Sequence, residues 1–211
     1  MENNHILLGK FCDYLATSGC MLCSARRTGR EVIPRPFRVP GSMHYTKPER
    51  PVMLVLSHPR ETDEKDGRIL KGAERITLLR WLSEIPYPAL YITTAVKCRS
   101  DEDREPRKKE INTCASTYLV NEIALLQPKI IFAMGKVATK ALLNCTDKIA
   151  SDKMLTRVPH VMKDTSNKFI WSGAIYPIYH PAYFQMGAGE HEIDEQVCIT
   201  QLQKGFEENG K

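Results

Sequence analysis

Short apolar runs alternate with longer amphipathic stretches along this chain of 211 residues. The apolar runs have the length of buried strands, and four strands are predicted, at Val52–Ser57, Leu90–Thr94, Gln127–Gly135 and Ala174–Tyr179. Helical periodicity predicts helices at Ile6–Thr17, Glu74–Ile85, Lys108–Leu126, Lys136–Asn144 and Glu190–Phe206. Strands that alternate with helices form a parallel sheet covered on both faces. The pattern therefore predicts an α/β fold, a three-layer αβα sandwich with a central, mainly parallel four-stranded sheet.

Residues with useful chemistry stand at the carboxyl ends of these predicted strands. Ser57–Arg60 closes the first strand, Thr94 the second and Gly135 the third, and His180 follows the last. In open α/β sheets, ligands bind at this edge. We therefore expect the functional site to lie there.

Length and composition narrow the class of protein. The chain is long enough for one domain with a substantial core, and we expect residues 1–211 to form a single domain. No run of 18 apolar residues and no signal-peptide pattern is present, so a soluble, cytoplasmic protein without a membrane partner is expected. We further expect a monomer.

Four of the seven cysteines have the spacing of a metal site. Cys20 and Cys23 form a C-x2-C pair, and Cys98 and Cys114 are separated by fifteen residues. An odd number of cysteines without a secretory signal favours reduced thiols over disulfides. Four thiolates can hold either a [4Fe-4S] cluster or a structural zinc, and the ligands alone do not choose between them.

Positive charge is concentrated in two segments, although the net charge is only +5. Arg26, Arg27 and Arg30 begin an irregular, proline-rich basic insertion at about residues 24–51. A second basic run lies between Cys98 and Cys114, but acidic residues are interspersed in it. A basic segment beside a metal site suits a phosphate backbone, whereas the alternative is a solvated loop. We favour DNA contact by the first segment.

Three blocks of sequence resemble the iron–sulfur (family-4) uracil-DNA glycosylases. They are YITTAVKCR at Tyr91–Arg99, LLQPKIIFAMGKVATKALL at Leu125–Leu143, and YHPAY at Tyr179–Tyr183. Together with the cysteine spacing they cover most of the chain. The resemblance implies a DNA glycosylase with a [4Fe-4S] cluster on the four cysteines, zinc being the alternative, and DNA as the partner. It also implies that His180 is catalytic, and that Lys136 and Tyr183 contact DNA with the basic insertion.

The first active-site motif departs from the pattern of that family. Aligned on Pro59 and Gly67, Ser57 replaces the family's glutamate, His58 an alanine and Arg60 a glycine. Such changes fall in the base pocket, whereas the cysteine ligands and the strands are retained. We expect Ser57 and Arg60 to bind the substrate and His58 to take part in catalysis.

Further changes alter the surfaces that would hold a base. Asp63 falls where the family has its first acidic residue, and we expect it to be catalytic with His180 and His58. Leu70 replaces the phenylalanine on which uracil would stack, and Thr94 replaces the asparagine that would read its edge. A rotatable hydroxyl fixes fewer hydrogen bonds than an amide, so discrimination for plain uracil should be weak.

Three functions are compatible with this pattern. The hypothesis we prefer is a DNA glycosylase that flips out a non-standard, modified pyrimidine and hydrolyses its N-glycosidic bond, leaving an abasic site, in DNA repair or in phage-related defence. An ordinary uracil-DNA glycosylase with a degenerate motif is the second. The third is a non-catalytic iron–sulfur protein that binds DNA. The acid–base set of His58, Asp63 and His180 favours an enzyme.

Overall fold

The structure is a computed structural model that describes residues 51–66, 69–85, 90–164, 166–185 and 192–210, and the backbone of residues 35–36. The predicted helix Ile6–Thr17 lies outside the described residues, as do Cys20 and Cys23. Arg26, Arg27 and Arg30 of the predicted basic insertion lie outside them too.

One mixed sheet forms the centre of the described chain. Its strands are β1 (Arg35–Pro36), β2 (Val52–Leu56), β3 (Leu90–Thr94), β4 (Ile130–Met134), β5 (Val158–Lys163) and β6 (Phe169–Ile178). They lie in the order β1-β3-β2-β4-β6-β5. The four inner strands are parallel, and β1 and β5 are antiparallel to their neighbours. The predicted four-stranded parallel sheet is therefore confirmed as the centre of a wider sheet.

Helices cover both faces of this sheet. They are α1 (Glu61–Asp66), α2 (Glu74–Ser83), α3 (Lys108–Cys114), α4 (Val120–Leu126), α5 (Lys136–Leu143), α6 (Asp147–Asp152) and α7 (Glu192–Gly210). A π-helical turn, Ala115–Leu119, joins α3 to α4, so the predicted helix Lys108–Leu126 is continuous but contains one wide turn. Short 3-10 turns occupy Asp101–Asp103 and Pro181–Gln185. Within the described chain, no helix is both apolar and long enough to cross a membrane.

Two apolar cores separate the layers and explain the predicted strands. Met53 and Val55 of β2 point to one core with α3, α4 and α5, whereas Val52 and Leu54 point to the other with α2 and α7. Every residue of β2, β3 and β4 is buried, which is why β2 and β4 are continuous apolar runs instead of alternating ones. The three-layer αβα sandwich is confirmed.

Four elements were missing from the prediction. Strand β1 lies in the segment predicted to be irregular, and the other three have a weak apolar pattern. Helix α1 has the wholly polar sequence ETDEKD, in a stretch predicted to be a loop. Helix α6 is a short polar helix with one buried residue, Ala150. Strand β5 is largely exposed and contains Pro159, which is tolerated because β5 is an edge strand. Strand β6 pairs with β5 and starts at Phe169, five residues before the predicted Ala174.

Candidate active site

A cavity of about 440 Å³ opens at the carboxyl ends of the inner strands. It is the place where the sequence predicted a site. The structure brings together nine predicted site residues in its lining, namely Ser57, His58, Arg60, Asp63, Leu70, Thr94, Lys136, His180 and Tyr183. Their roles in catalysis, base binding and DNA binding stay predictions.

His180 is held in one protonation state by its own turn. The backbone N–H of Ala182 donates to Nδ1 of His180 at 3.2 Å. Burial, with Arg60 and His58 nearby, lowers the pKa of His180 to about 4. The imidazole is therefore neutral near pH 7, and because Nδ1 accepts a hydrogen bond, Nε2 carries the proton. His180 can thus donate a hydrogen bond from Nε2.

Gly135 gives His180 the space it needs. The residue has a φ of +89°, which disfavours side chains, and its N–H donates to the carbonyl of Ile178 at 2.8 Å. A Cβ on Gly135 would lie 3.2 Å from Cβ of His180. The turn after β4 and the turn after β6 therefore pack against each other, and a glycine permits that approach.

Ser57 and His58 form a hydrogen-bonded pair directly after β2. Ser57 Oγ lies 2.7 Å from Nδ1 of His58. His58 is 8% exposed, and its Nε2 is buried with no hydrogen-bond partner among the described residues. Burial, followed by the charge of Arg60, lowers the pKa of His58 to about 4. His58 is thus a second neutral imidazole in the cavity, with one ring nitrogen unsatisfied.

Asp63 lies in the first turn of α1, and both of its carboxylate oxygens accept backbone hydrogen bonds. Oδ2 accepts from the N–H of Arg60 at 2.9 Å, and Oδ1 accepts from the N–H of Lys71 at 2.8 Å. The residue is 3% exposed. Burial raises the pKa of Asp63, whereas the two amide hydrogen bonds oppose that rise. The carboxylate therefore ties together the two ends of the segment that forms one wall of the cavity.

Leu70 and Thr94 contribute a strained apolar wall and an unsatisfied hydroxyl. Leu70 is buried at a φ of +61°, a left-handed conformation that usually costs a non-glycine residue about 1–2 kcal/mol. Thr94 ends β3 and is 1% exposed, and its Oγ1 has no hydrogen-bond partner within the described part of the chain. Buried hydroxyls normally find a partner, so Oγ1 of Thr94 is available to a ligand.

A buried ion pair that the sequence analysis missed supports the end of β3. Lys97 Nζ lies 2.9 Å from Oε1 of Glu122, and it donates to Thr93 Oγ1 and to the carbonyl of Thr94, each at 2.7 Å. Both charged residues are almost fully buried. Lys97 therefore fixes the backbone carbonyl of Thr94, and Glu122 balances the buried charge of Lys97. A lysine directly after an apolar strand, inside YITTAVKCR, was the available signal.

The rim of the cavity combines a cation with exposed aromatic surface. Lys136 is exposed at the first residue of α5. Tyr183 is 37% exposed and stacks on Tyr179, with ring centroids 5.0 Å apart and planes inclined by 14°. Arg60 is exposed after β2. These groups suit contact with a nucleic-acid backbone or a base.

Acidic residues in the lining were also missed, and they change the interpretation of the second basic segment. Arg99 Nε donates to Asp103 at 2.8 Å, and Arg104 donates to Glu110 at 2.7 Å. Lys140 binds Glu105 at 2.9 Å. Arg99 and Arg104 are thus committed to carboxylates of the protein, as the interspersed acidic residues could have indicated.

Two of the four predicted metal ligands lie in the described chain. Cys98 follows β3 and Cys114 ends α3, and both are buried. Buried thiols are suitable soft ligands, so both residues fit a cluster or a zinc ion. Neither is among the described residues that line the cavity. A metal held there would lie outside the cavity lining.

Comparison with known proteins agrees with the geometry. The profile of the uracil DNA glycosylase superfamily matches residues 43–201. A type-4 uracil-DNA glycosylase of Sulfurisphaera tokodaii is 31% identical over 152 residues, which are 68% of this chain and 64% of that protein. A type-4 uracil-DNA glycosylase of Saccharolobus solfataricus is 28% identical over 139 residues, 62% of this chain and 60% of that protein. One from Pyrobaculum aerophilum is 34% identical over 94 residues, 44% and 47% of the two chains.

This chain spans less than two thirds of the length of each of these relatives. The match to the superfamily profile nevertheless covers the whole sheet from β2 to β6 and reaches into α7. It includes every predicted residue of the cavity. The chain therefore belongs to the uracil DNA glycosylase superfamily.

Proposed function

We propose that this protein is a DNA glycosylase that extrudes a pyrimidine nucleotide from DNA and hydrolyses its N-glycosidic bond. The observation that carries this proposal is the neutral His180, whose Nε2–H is available in a cavity of about 440 Å³. When the glycosidic bond breaks, negative charge develops on the departing base. A preorganised donor placed at a base carbonyl stabilises that charge.

The remaining residues support the same chemistry. The hydroxyl of Thr94 is free to read the edge of a flipped base, and Leu70 offers an apolar surface to its face. Lys136 and Tyr183 stand at the rim, where the DNA strand would pass. Arg26, Arg27 and Arg30 are proposed to bind DNA on the basis of their charge alone. We propose that the target base is extruded from the duplex into this cavity.

We further propose that the substrate is a modified pyrimidine. The replacements at Leu70 and Thr94 support it, because at these two positions neither an aromatic face nor an amide is present to hold plain uracil. Arg60 at the mouth could donate several hydrogen bonds to a polar substituent. Both DNA repair and defence against phage DNA would use such an activity.

An ordinary uracil-DNA glycosylase is the second candidate. The observation that favours it is the name shared by the similar proteins, which are type-4 uracil-DNA glycosylases. The two candidates share His180 and differ only in the base that the cavity accepts.

A substrate panel tests the proposal. Duplex and single-stranded oligonucleotides with one uracil, hydroxymethylated or glucosylated pyrimidine are incubated with excess protein, and abasic sites are detected by alkaline cleavage. We expect cleavage at a modified pyrimidine in preference to uracil, and loss of at least about a hundredfold in rate for His180→Ala. Preference for uracil would support the second candidate. Binding without cleavage of any substrate would contradict both.

We also propose a [4Fe-4S] cluster on Cys20, Cys23, Cys98 and Cys114. The buried thiols of Cys98 and Cys114 support it, as does the spacing of the four cysteines. When bound, the cluster would supply a structural cross-link between the N-terminal segment and the sheet. Zinc is the alternative ion for the same ligands.

A further inference from the structure

We propose that His58, oriented by Ser57, accepts the proton of the attacking water, and that Asp63 is a positioning residue. This inference rests on the proposed glycosylase activity and specifies its general base. Among the acidic and basic groups of the cavity, the sequence analysis singled out His58 and Asp63 as candidates to activate water, and it did not choose between them. Their hydrogen bonds do.

Asp63 is already committed to the protein backbone. Each of its carboxylate oxygens accepts an N–H, from Arg60 and from Lys71, eleven residues apart in the chain. Moving the carboxylate toward a substrate would leave two backbone donors unsatisfied, at about 1–3 kcal/mol each. Asp63 therefore holds the wall that carries Leu70.

His58 has the opposite arrangement. Its Nδ1 is paired with Ser57, and its Nε2 is the ring nitrogen left without a partner among the described residues. A buried polar atom without a partner is rare, and at a cavity wall it indicates a ligand or a bound water. Nε2 of His58 is buried in the cavity wall, and we infer that it meets the attacking water when the substrate is bound.

The hydrogen bond with Ser57 determines whether Nε2 of His58 donates or accepts a proton. If Nδ1 carries the proton and donates to Oγ of Ser57, Nε2 presents a lone pair and can accept a proton. The 2.7 Å distance allows this donation. The proposal thus assigns the Nδ1–H tautomer to His58, whereas His180 has the Nε2–H tautomer. The cavity then contains one acceptor imidazole and one donor imidazole.

Burial, more than the surrounding charges, keeps His58 neutral. Arg60 and Arg104 lower its pKa, and Asp103 and Glu105 raise it, while His180 faces the same cavity. Burial is the largest effect, and the resulting pKa of His58 is about 4. Near pH 7 the lone pair on Nε2 is therefore unprotonated.

The proposed step balances in atoms and charge. The bond between C1′ and N1 of the pyrimidine breaks, and its electron pair leaves with the base, whose carbonyl oxygen accepts a hydrogen bond from His180. The oxygen of water bonds to C1′ while its proton passes to Nε2 of His58. The resulting imidazolium returns that proton to the departed base or to solvent. The products are the free pyrimidine and an abasic sugar.

Chemical rescue tests the catalytic part. His58→Ala removes the base and opens a small space, so the single-turnover rate should fall at least about tenfold and recover in part with added imidazole, because general bases contribute about 10²–10⁴-fold. His160→Ala, on the edge strand β5, is the matched control and should change nothing. Asp63→Asn should lower the melting temperature, and imidazole should not restore its rate. Rescue of Asp63→Asn, or a normal rate for His58→Ala, would overturn the proposal.

The tautomer provides a readout that is independent of activity. Nitrogen-15 NMR of the holoprotein, with His58→Gln used to assign the signal, should show a neutral His58 protonated on Nδ1 near pH 7. Ser57→Ala should remove that preference and lower the rate, while Ser57→Thr retains both. A neutral His58 protonated on Nε2 would make it a donor and overturn its role as a base. Wild-type protein inactive on the whole panel would instead contradict the proposed function itself.

Discussion

Gly135 and His180 lie so close that a single methyl group at residue 135 would come within 3.2 Å of Cβ of the histidine. The glycine also has a φ of +89°. The position of the candidate leaving-group donor therefore depends on a residue in a different turn, which follows a different strand of the sheet.

Gly135→Ala should displace His180 and reduce activity more than stability. The positive φ should cost about 1–3 kcal/mol, and the displaced imidazole should lower the single-turnover rate at least about tenfold. Gly173→Ala is the control, because its Cβ would clash with Trp171 and the carbonyl of Lys129, outside the cavity. That variant should have a lower melting temperature but, while folded, the single-turnover rate of the wild type. Equal rates for the two variants at a temperature where both are folded would contradict this coupling.

Lys97 and Glu122 should contribute to stability as a pair, so that removing one residue costs more than removing both. Lys97→Met leaves the carboxylate of Glu122 buried without its cation, which should destabilise the protein by about 3–5 kcal/mol. The double variant Lys97→Met/Glu122→Leu should regain much of that loss. Urea unfolding of the two single variants and the double variant measures the coupling. A double variant that is less stable than Lys97→Met would show that the pair does not act as a unit.

Stability should fall as the pH is lowered from about 6.5 to about 4. The pKa values of His58 and His180 are lowered in the folded state to about 4, from 6.5. Between these values the unfolded chain binds protons that the folded protein does not bind, so stability is highest above pH 6.5. Urea unfolding at several pH values measures this slope. His58→Gln and His180→Gln should each flatten it, whereas an unchanged slope in both variants would contradict neutral buried imidazoles.

The metal prediction is tested directly by colour and composition. Protein purified without oxygen should be brown and absorb near roughly 400 nm, as thiolate-bound iron–sulfur clusters do. Cys98→Ala and Cys114→Ala should each lower the iron and sulfide content and the melting temperature. Colourless wild-type protein with one zinc ion per chain would establish the alternative metal instead.

The sequence predicted β2, β3 and β4 well because each is a short, fully buried run, whereas the longer β6 was found only in its buried second half. Val52–Leu56 and Leu90–Thr94 are each buried throughout, so their letters alone indicate a strand between two layers. Helix α1 could not be found in this way, since its one buried residue, Asp63, is held by backbone hydrogen bonds and not by packing. Local polar contacts of that kind leave no periodic pattern.

The candidate site could be located from the sequence, but its interactions could not. The sequence presents His58 and Asp63 as two equally suitable acid–base groups. Their hydrogen-bond partners in the fold distinguish their proposed roles. Similarly, the basic letters of Arg99 and Arg104 suggested a surface for phosphate, whereas the folded chain pairs both with its own carboxylates. Which partner a charged side chain meets depends on the three-dimensional fold.

The base pocket should be convertible toward uracil. Thr94→Asn restores an amide with a fixed donor and acceptor, and Leu70→Phe restores an aromatic face. Both residues are buried in the cavity wall, so the double variant should gain activity on uracil relative to modified pyrimidines. Competition between two labelled oligonucleotides measures the ratio. Leu70→Met, which keeps an apolar wall without an aromatic ring, is the matched control and should not shift it. Wild-type activity confined to uracil would contradict the refitted pocket.

Arg60 at the mouth of the cavity has two possible partners, and one variant separates them. If its guanidinium donates to a polar substituent on the base, Arg60→Gly should reduce the rate on the bulky pyrimidine and leave uracil unaffected. If it contacts a phosphate, binding to every substrate should weaken, and the slope of log affinity against log salt should become shallower by about 0.7–0.9. Arg60→Lys keeps the charge but loses the planar fork of donors, so it should behave like the wild type toward phosphate and like Arg60→Gly toward the substituent. Our proposal of a modified substrate requires the first pattern.

The rates of these variants are compared at pH 7.5. The guanidinium of Arg60 also lowers the pKa of both His58 and His180, and at this pH both imidazoles remain neutral with or without it.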